Sequence, residues 1–305
     1  MNKLNLLIKI YSKLHNYKGV PFCVLTPLRR LVRRVVNNQL PKYLRSSRRL
    51  NPKSKSEVIV SFTSFPARIE NVWQVVECML RQTYQPKKIL LWLSKEQFSS
   101  KKELPKSLLE CENVIFEIRF VDGDIRSHKK YYYVSKEFPD SLILLIDDDL
   151  YYPTDMIENI IKEYNKYPNS VICRYSSIRK YDNNGNLLPY KEWKEISGAS
   201  DSKHLFLGSG GGTLIKPSAL YKDLTNKDLF LKLTPIADDI WLNAMVELAG
   251  LSINKIKFGL ILPIKGGETN VTLCSENVAG GQNDIQINNI REYYKQELNK
   301  ELFAK

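Results

Sequence analysis

Three adjacent carboxylates, Asp147, Asp148 and Asp149, follow directly on the aliphatic run LILLI. Unpaired carboxylates are too costly to desolvate in a core, so they belong at the exit of the element that carries them. In an extended segment Asp147 and Asp149 point the same way. Two oxygen ligands on one side suit Mg2+ or Mn2+, and such an ion suits a diphosphate. A second pair, Asp238 and Asp239, stands at the head of the helical stripe Ile240, Trp241, Ala244, Met245 and Leu248. The dipole at a helix start favours the ionised form. A carboxylate there could take a proton from a hydroxyl or stabilise a cationic transition state. Each group has a plainer reading: a solvated acidic turn for the trio, helix capping for the pair.

The elements that must hold these residues alternate. Glu57 to Ser61, Ile89 to Leu93, Val114 to Val121 and Leu142 to Ile146 read as strands. The last has the composition of a strand buried on both faces. Helix-length segments separate them, which predicts βαβ units and helices on both sides of a sheet. Ligands bind such sheets at the carboxyl ends of their strands. There the chain carries Ser61, Thr63 and Arg68, then Asp122, Asp124, Arg126, His128 and Lys129, then the aspartates. Arg126, Lys129 or Lys130 could neutralise phosphate. His128 reads as a hydrogen-bonding or surface residue rather than a metal ligand. Neither GxGxxG nor GxxxxGK[ST] occurs.

Downstream, Val171 to Tyr175 and Phe258 to Ile264 read as strands. The run FLGSGGGTLI lets the backbone approach a ligand or take positive φ, or it is a hairpin. Lys265 to Gln282 is a candidate mobile flap, and Ile287 to Phe303 a closing helix.

Charge divides the chain. The net charge is +13, yet residues 1–55 hold fourteen Lys and Arg and no acid, leaving the other 250 residues at −1. In the first segment Leu4, Leu7, Ile8, Tyr11 and Leu14 recur at helical spacing. In the second, Thr26 can cap, Pro27 fits a first helical position and Pro41 stops the run. Between them Leu28, Leu31, Val32, Val35 and Val36 form a stripe opposite Arg29, Arg30, Arg33 and Arg34. Such a helix can lie in a membrane interface. It can equally pack on the body with a solvated basic face, and its composition also suits an organellar transit peptide. No known nucleic-acid motif accompanies the arm, and no nucleic acid is expected as a partner. No apolar run approaches the roughly 20 residues of a membrane span. Five scattered cysteines without metal spacing read as reduced thiols in a cytosol.

With these residues in view, the chain resembles a GT-A fold glycosyltransferase of the kind that builds bacterial surface polysaccharides. It is more distantly similar to family 2 and exostosin-like transferases. The resemblance rests on VIVSFTSFPARI, ILLWLS, FVDGDIRSHKKYYY, LLIDDDLYYP, FLGSGGGTLI and ADDIWL, over about residues 56–264. It implies a three-layer α/β/α fold on a mostly parallel mixed sheet, preceded by the basic amphipathic arm. The expected divisions are an arm 1–55, a transferase domain 56–288 with a nucleotide half 56–153 and an acceptor half 154–288, and a C-terminal helix 289–305. The implied activity is sugar transfer from a nucleotide diphospho-sugar, UDP-linked first, to a glycan or lipid-linked oligosaccharide. A catalytically inactive binding or scaffold protein of the same fold is the alternative. By the resemblance Asp147 would lie near the ribose or sugar and Asp149 would bind Mn2+ or Mg2+. Asp239 would be the catalytic carboxylate, with Asp238 beside it, and Thr63 and Arg68 would contact the nucleotide. The expected location is cytoplasmic, peripheral on the inner face of an anionic membrane through residues 1–50. Two departures stand out: β-strand ILLWL exits into SKEQF rather than an acidic turn, and the flap has no His as a third metal ligand.

Overall fold

The computed structural model describes residues 6, 9–10, 22–46, 49, 51–196, 199–256, 262–264 and 281–305. Most of the first helical segment, most of the candidate flap 265–282 and residues 258–261 of the last expected strand lie outside them.

Seven strands form the central sheet: β1 (Ile59–Thr63), β2 (Lys88–Ser94), β3 (Phe116–Val121), β4 (Ile143–Leu145), β5 (Ser170–Cys173), β6 (Thr213–Ile215) and β7 (Ser252–Lys255). Their order is β7-β5-β6-β4-β1-β2-β3. Strands β4, β1, β2 and β3 are mutually parallel, β7 is parallel to β5, and β6 runs antiparallel to both its neighbours.

Alternation along the strands builds the layers. Val60, Phe62, Leu91, Leu93, Leu144 and Ile146 feed one core. Ile59, Leu90, Trp92, Ile143 and Leu145 feed the other. The first core is closed by α1 (Phe22–Ser46), α2 (Val72–Leu80) and α4 (Met156–Lys166). The second is closed by α3 (Lys129–Glu137), α5 (Lys227–Leu233), α6 (Asp238–Leu248) and α7 (Gln282–Leu298). This is the expected three-layer α/β/α arrangement on a mostly parallel mixed sheet, with a continuous apolar run wherever a strand is covered twice.

The arm departs from its sequence pattern. Helix α1 contains both Pro27 and Pro41, so neither bounds it. A proline inside a helix forfeits a hydrogen bond. Burial offsets that loss here, because Val36, Leu40 and Leu44 enter the first core at the i, i+4, i+8 spacing. The expected stripe is therefore split: Val36 is buried, whereas Leu28, Leu31 and Val35 are 44, 56 and 47% exposed. Arg29, expected on a solvated face, is buried. Asn37 Nδ2 donates to the Pro263 carbonyl at 3.2 Å, and Arg81 Nη2 donates to the Leu44 carbonyl at 2.9 Å. Among the described residues no helix is long and apolar enough to cross a membrane. Cys78, Cys111 and Cys173 are buried free thiols.

Candidate active site

The parallel strands all end at one rim, and the antiparallel β6 begins there. Its register, Thr213 opposite Leu145, brings Gly208–Gly212 beside the exit of β4. The chain turns at Asp148–Asp149, and Leu150–Tyr151 then pairs with Leu262–Pro263. The two outer aspartates face outward, as alternation predicts: the side chains of Asp147 and Asp149 are 33 and 26% exposed, that of Asp148 6%.

Asp148 is anchored. Its carboxylate accepts from Ser64 Oγ at 2.5 Å and from Arg68 Nη1 at 2.9 Å. Burial nevertheless outweighs both donors and raises its pKa. Arg68 also reaches Asp149 Oδ2 at 3.1 Å. Burial, then the Asp147 and Asp148 carboxylates, push Asp149 up to about 7 despite Arg68. Asp147 is oriented from three sides. Lys130 Nζ lies 3.0 Å from its Oδ1, its amide donates to the Tyr152 hydroxyl at 2.8 Å, and Gly210 lies against its carboxylate. A Cβ at Gly210 would fall 1.7 Å from Asp147 Oδ2, so only glycine fits. Gly211 and Gly212, at φ +71° and +109°, are the positive-φ positions, and the missing Cβ at Gly211 makes room for the Tyr175 ring.

Lys130 joins this cluster to the second acidic pair. Its ammonium is also 3.4 Å from Asp238 Oδ2 and donates to Ser209 Oγ at 3.3 Å. Ser209 Oγ in turn donates to Asp238 Oδ2 at 2.5 Å. Burial alone would neutralise Lys130, but Asp147 and Asp238 outweigh it and hold the lysine charged. Burial would likewise raise Asp238, yet the Lys130 charge and the Ser209 hydrogen bond keep it below the usual range. Asp239 gains less from Lys130. Burial and the neighbouring Asp238 push it up to about 7, although the Ile240 amide donates to its Oδ1 at 2.9 Å. Burial thus exceeds the helix-dipole effect expected at the first turn of α6. The pair does not cap the helix: Ala237 is the N-cap residue and no side chain caps it.

Other residues singled out in the sequence lie on the same rim in different roles. Thr63 Oγ1 donates to the Trp92 carbonyl at 2.7 Å. Lys129 is turned inward, 2% exposed, with its ammonium on Asp124. Phosphate neutralisation therefore suits its neighbour Lys130 better. Asp122 is exposed and pairs with Lys95 at 2.9 Å. Arg126 is exposed, at φ 51°, its amide donating to Asp124 Oδ1 at 2.9 Å. No hydrogen bond or ion pair joins Asp122 or Arg126 to the trio among the contacts of the described residues. His128 is fully buried and stacks on Phe230 at 4.4 Å. Its Nε2 faces the Thr234 carbonyl at 2.7 Å and must carry the proton, leaving Nδ1 to accept from Tyr131. Burial lowers its pKa to about 4, so it is a structural imidazole.

Among the described residues no cluster of three or more His, Cys, Asp or Glu is arranged to hold a metal. Asp147 and Asp149 still fit one. Mg2+ commonly takes one or two carboxylates and completes its shell with phosphate oxygens and water. The Asp147 and Asp149 side chains are the more open of the trio, 33 and 26% exposed, so an ion can reach them from solvent.

No protein-family model matches this chain, and no curated protein matches it in sequence. Solved structures are similar in fold. One is an apo UDP-glucose pyrophosphorylase, at 13% identity and TM-score 0.40, covering 80% of this chain and 99% of that one. Another is UDP-glucose pyrophosphorylase complexed with UDP-glucose, at 11% identity and TM-score 0.43, covering 81 and 100%. A third is the 4-diphosphocytidyl-2C-methyl-D-erythritol synthase from Anaerococcus prevotii, at 14% identity and TM-score 0.43, covering 76 and 98%. Likenesses this distant leave the reaction to be read from the site's own residues.

Proposed function

We propose that this protein is a metal-dependent glycosyltransferase that moves a sugar from a nucleotide diphospho-sugar to a glycan or lipid-linked acceptor in surface-polysaccharide synthesis. One observation supports it above the others. The Lys130 ammonium touches Asp147 and Asp238 at 3.0 and 3.4 Å, so both acidic groups share one site. Asp149 and Asp147 would hold Mn2+ or Mg2+. The bound ion would supply charge compensation for the leaving diphosphate. Lys130 adds a fixed positive charge beside it. Asp239, near 7, is poised to take the acceptor hydroxyl's proton as that oxygen bonds to the sugar's anomeric carbon. The bond from that carbon to the diphosphate breaks, and the nucleoside diphosphate leaves with the electron pair. Thr63, Arg68, Asp122 and Arg126 remain candidates for nucleotide contacts.

Titration with UDP tests the donor half. Affinity should be higher with Mn2+ than with EDTA, and Asp149→Ala should erase the difference. Equal, weak binding of UDP and GDP with or without metal would favour a transferase-like binding or scaffold protein.

The proposal includes an anionic membrane surface at the cytoplasmic face as partner of residues 1–50. Support comes from the exposed Leu28, Leu31 and Val35 beside the exposed Arg30 and Arg34 on α1. Deleting residues 1–50 would strip Val36, Leu40 and Leu44 from the core, so substitutions on the solvent side are the usable test. Replacing Leu28, Leu31 and Val35 together by Ser should abolish sedimentation with phosphatidylglycerol vesicles. Unchanged sedimentation would remove the membrane from the proposal.

A further inference from the structure

One guanidinium serves two aspartates of unequal standing. Arg68 Nη1 lies 2.9 Å from Asp148 Oδ1 and 3.1 Å from Asp149 Oδ2. Asp148 is buried and doubly held, by Ser64 and Arg68. Asp149 is the more open of the two, its side chain 26% exposed. Arg68 sits in the turn after β1, not within a strand or helix, and its guanidinium lies 5.3 Å from the Phe65 ring centroid.

We infer that Arg68 is a resident counter-cation on Asp149, and that a divalent ion and a diphosphate must displace it together. The inference rests on the metal reading above and says how that site is controlled. An arginine and a divalent ion crowding one carboxylate repel each other strongly in a partly buried site. The ion alone therefore binds against Arg68. A diphosphate changes the balance by giving the guanidinium fork a new, bidentate partner. Asp148 keeps Arg68 close while it turns from Asp149 to phosphate. Three acids then have distinct tasks: Asp147 and Asp149 face the ion, and Asp148 tethers the arginine. Ion and nucleotide raise each other's affinity by the same factor, as linkage requires.

The test is Mn2+ binding followed by the paramagnetic resonance of free Mn2+, with and without UDP, on the full chain. Wild type should bind Mn2+ weakly alone and much more tightly with UDP. Arg68→Gln should bind Mn2+ alone about tenfold tighter than wild type and lose most of the UDP enhancement. Asp148→Asn, which keeps both proposed ion ligands, should shift the other way, because Arg68 then rests wholly on Asp149. Thermal melts confirm that each variant is folded. Two results overturn the inference while leaving the metal reading intact: Arg68→Gln no tighter than wild type for Mn2+ alone, or a change of the same sign in both variants. Absence of any UDP enhancement in wild type removes the metal reading, and the inference with it.

Discussion

The exit of β4 and the start of α6 solve the same electrostatic problem in different ways. Each places one aspartate against a serine and a basic side chain: Asp148 with Ser64 and Arg68, Asp238 with Ser209 and Lys130. Each leaves a neighbour pushed up to about 7, Asp149 in one and Asp239 in the other. The outcome for the anchored acid differs. Asp238 is held below the usual range, whereas Asp148 is raised in spite of Arg68. Burial dominates at Asp148, with a small further push from Asp147, whereas at Asp238 the Lys130 charge leads the groups, Ser209 among them, that outweigh burial. The first region lacks positive charge and suits a cation. The second keeps a carboxyl that titrates near 7 beside the Asp238–Lys130 ion pair and suits acid–base work.

Removing Lys130 should break the comparison most severely, because both regions lean on it. Lys130→Met leaves Asp147 and Asp238 without their shared cation. Stability should fall by about 3–5 kcal/mol, the usual cost of orphaning a buried charge, as read by urea unfolding. Lys130→Arg should recover part of it. Gly210→Ala acts on the first region alone. Its Cβ must displace the Asp147 carboxylate, so Mn2+·UDP affinity should drop by roughly tenfold or more while proton transfer at Asp239 is spared.

The pH dependence sharpens the parallel. Both raised carboxyls must lose a proton to work, so Mn2+·UDP affinity and turnover should each decline as pH falls through about 7. Stability runs the opposite way. The folded protein keeps protons that the unfolded chain releases near 4, so stability should fall as pH rises from about 4 past 7. Asp239→Asn should flatten that fall, measured as Tm against pH. The smallest effect lies outside the comparison. Arg30→Gln with Arg34→Gln removes about 1 kcal/mol of lipid attraction per residue, which weakens vesicle binding without touching either acidic region.

Much of this was legible in the sequence because burial leaves marks. LILLI must end where Asp147 begins, and the strands expected at 57–61 and 89–93 overlap Ile59–Thr63 and Lys88–Ser94, whose apolar residues are buried on both faces. Strand β7 was missed, since SINK mixes polar and apolar residues over four positions at a sheet edge. Proline punctuation misplaced both ends of α1, where tertiary packing of Leu40 and Leu44 overrode the local preference. Adjacent lysines look alike in a string. Only the phase of α3 turns Lys129 to Asp124 and Lys130 to the shared site. Ser64 and Ser209 carried no signal of their own, because their partners lie 84 and 29 residues away.

The division of labour is tested most directly by running Asp149→Ala and Asp239→Asn side by side. Both are measured for Mn2+·UDP affinity and for nucleotide release from a panel of sugar nucleotides with acceptor present. Asp149→Ala should lose the metal-dependent binding. Asp239→Asn should bind as wild type does and release nucleotide roughly a hundredfold more slowly or worse. An Asp239→Asn protein that turns over at the wild-type rate, or that loses Mn2+·UDP binding as Asp149→Ala does, would contradict the account.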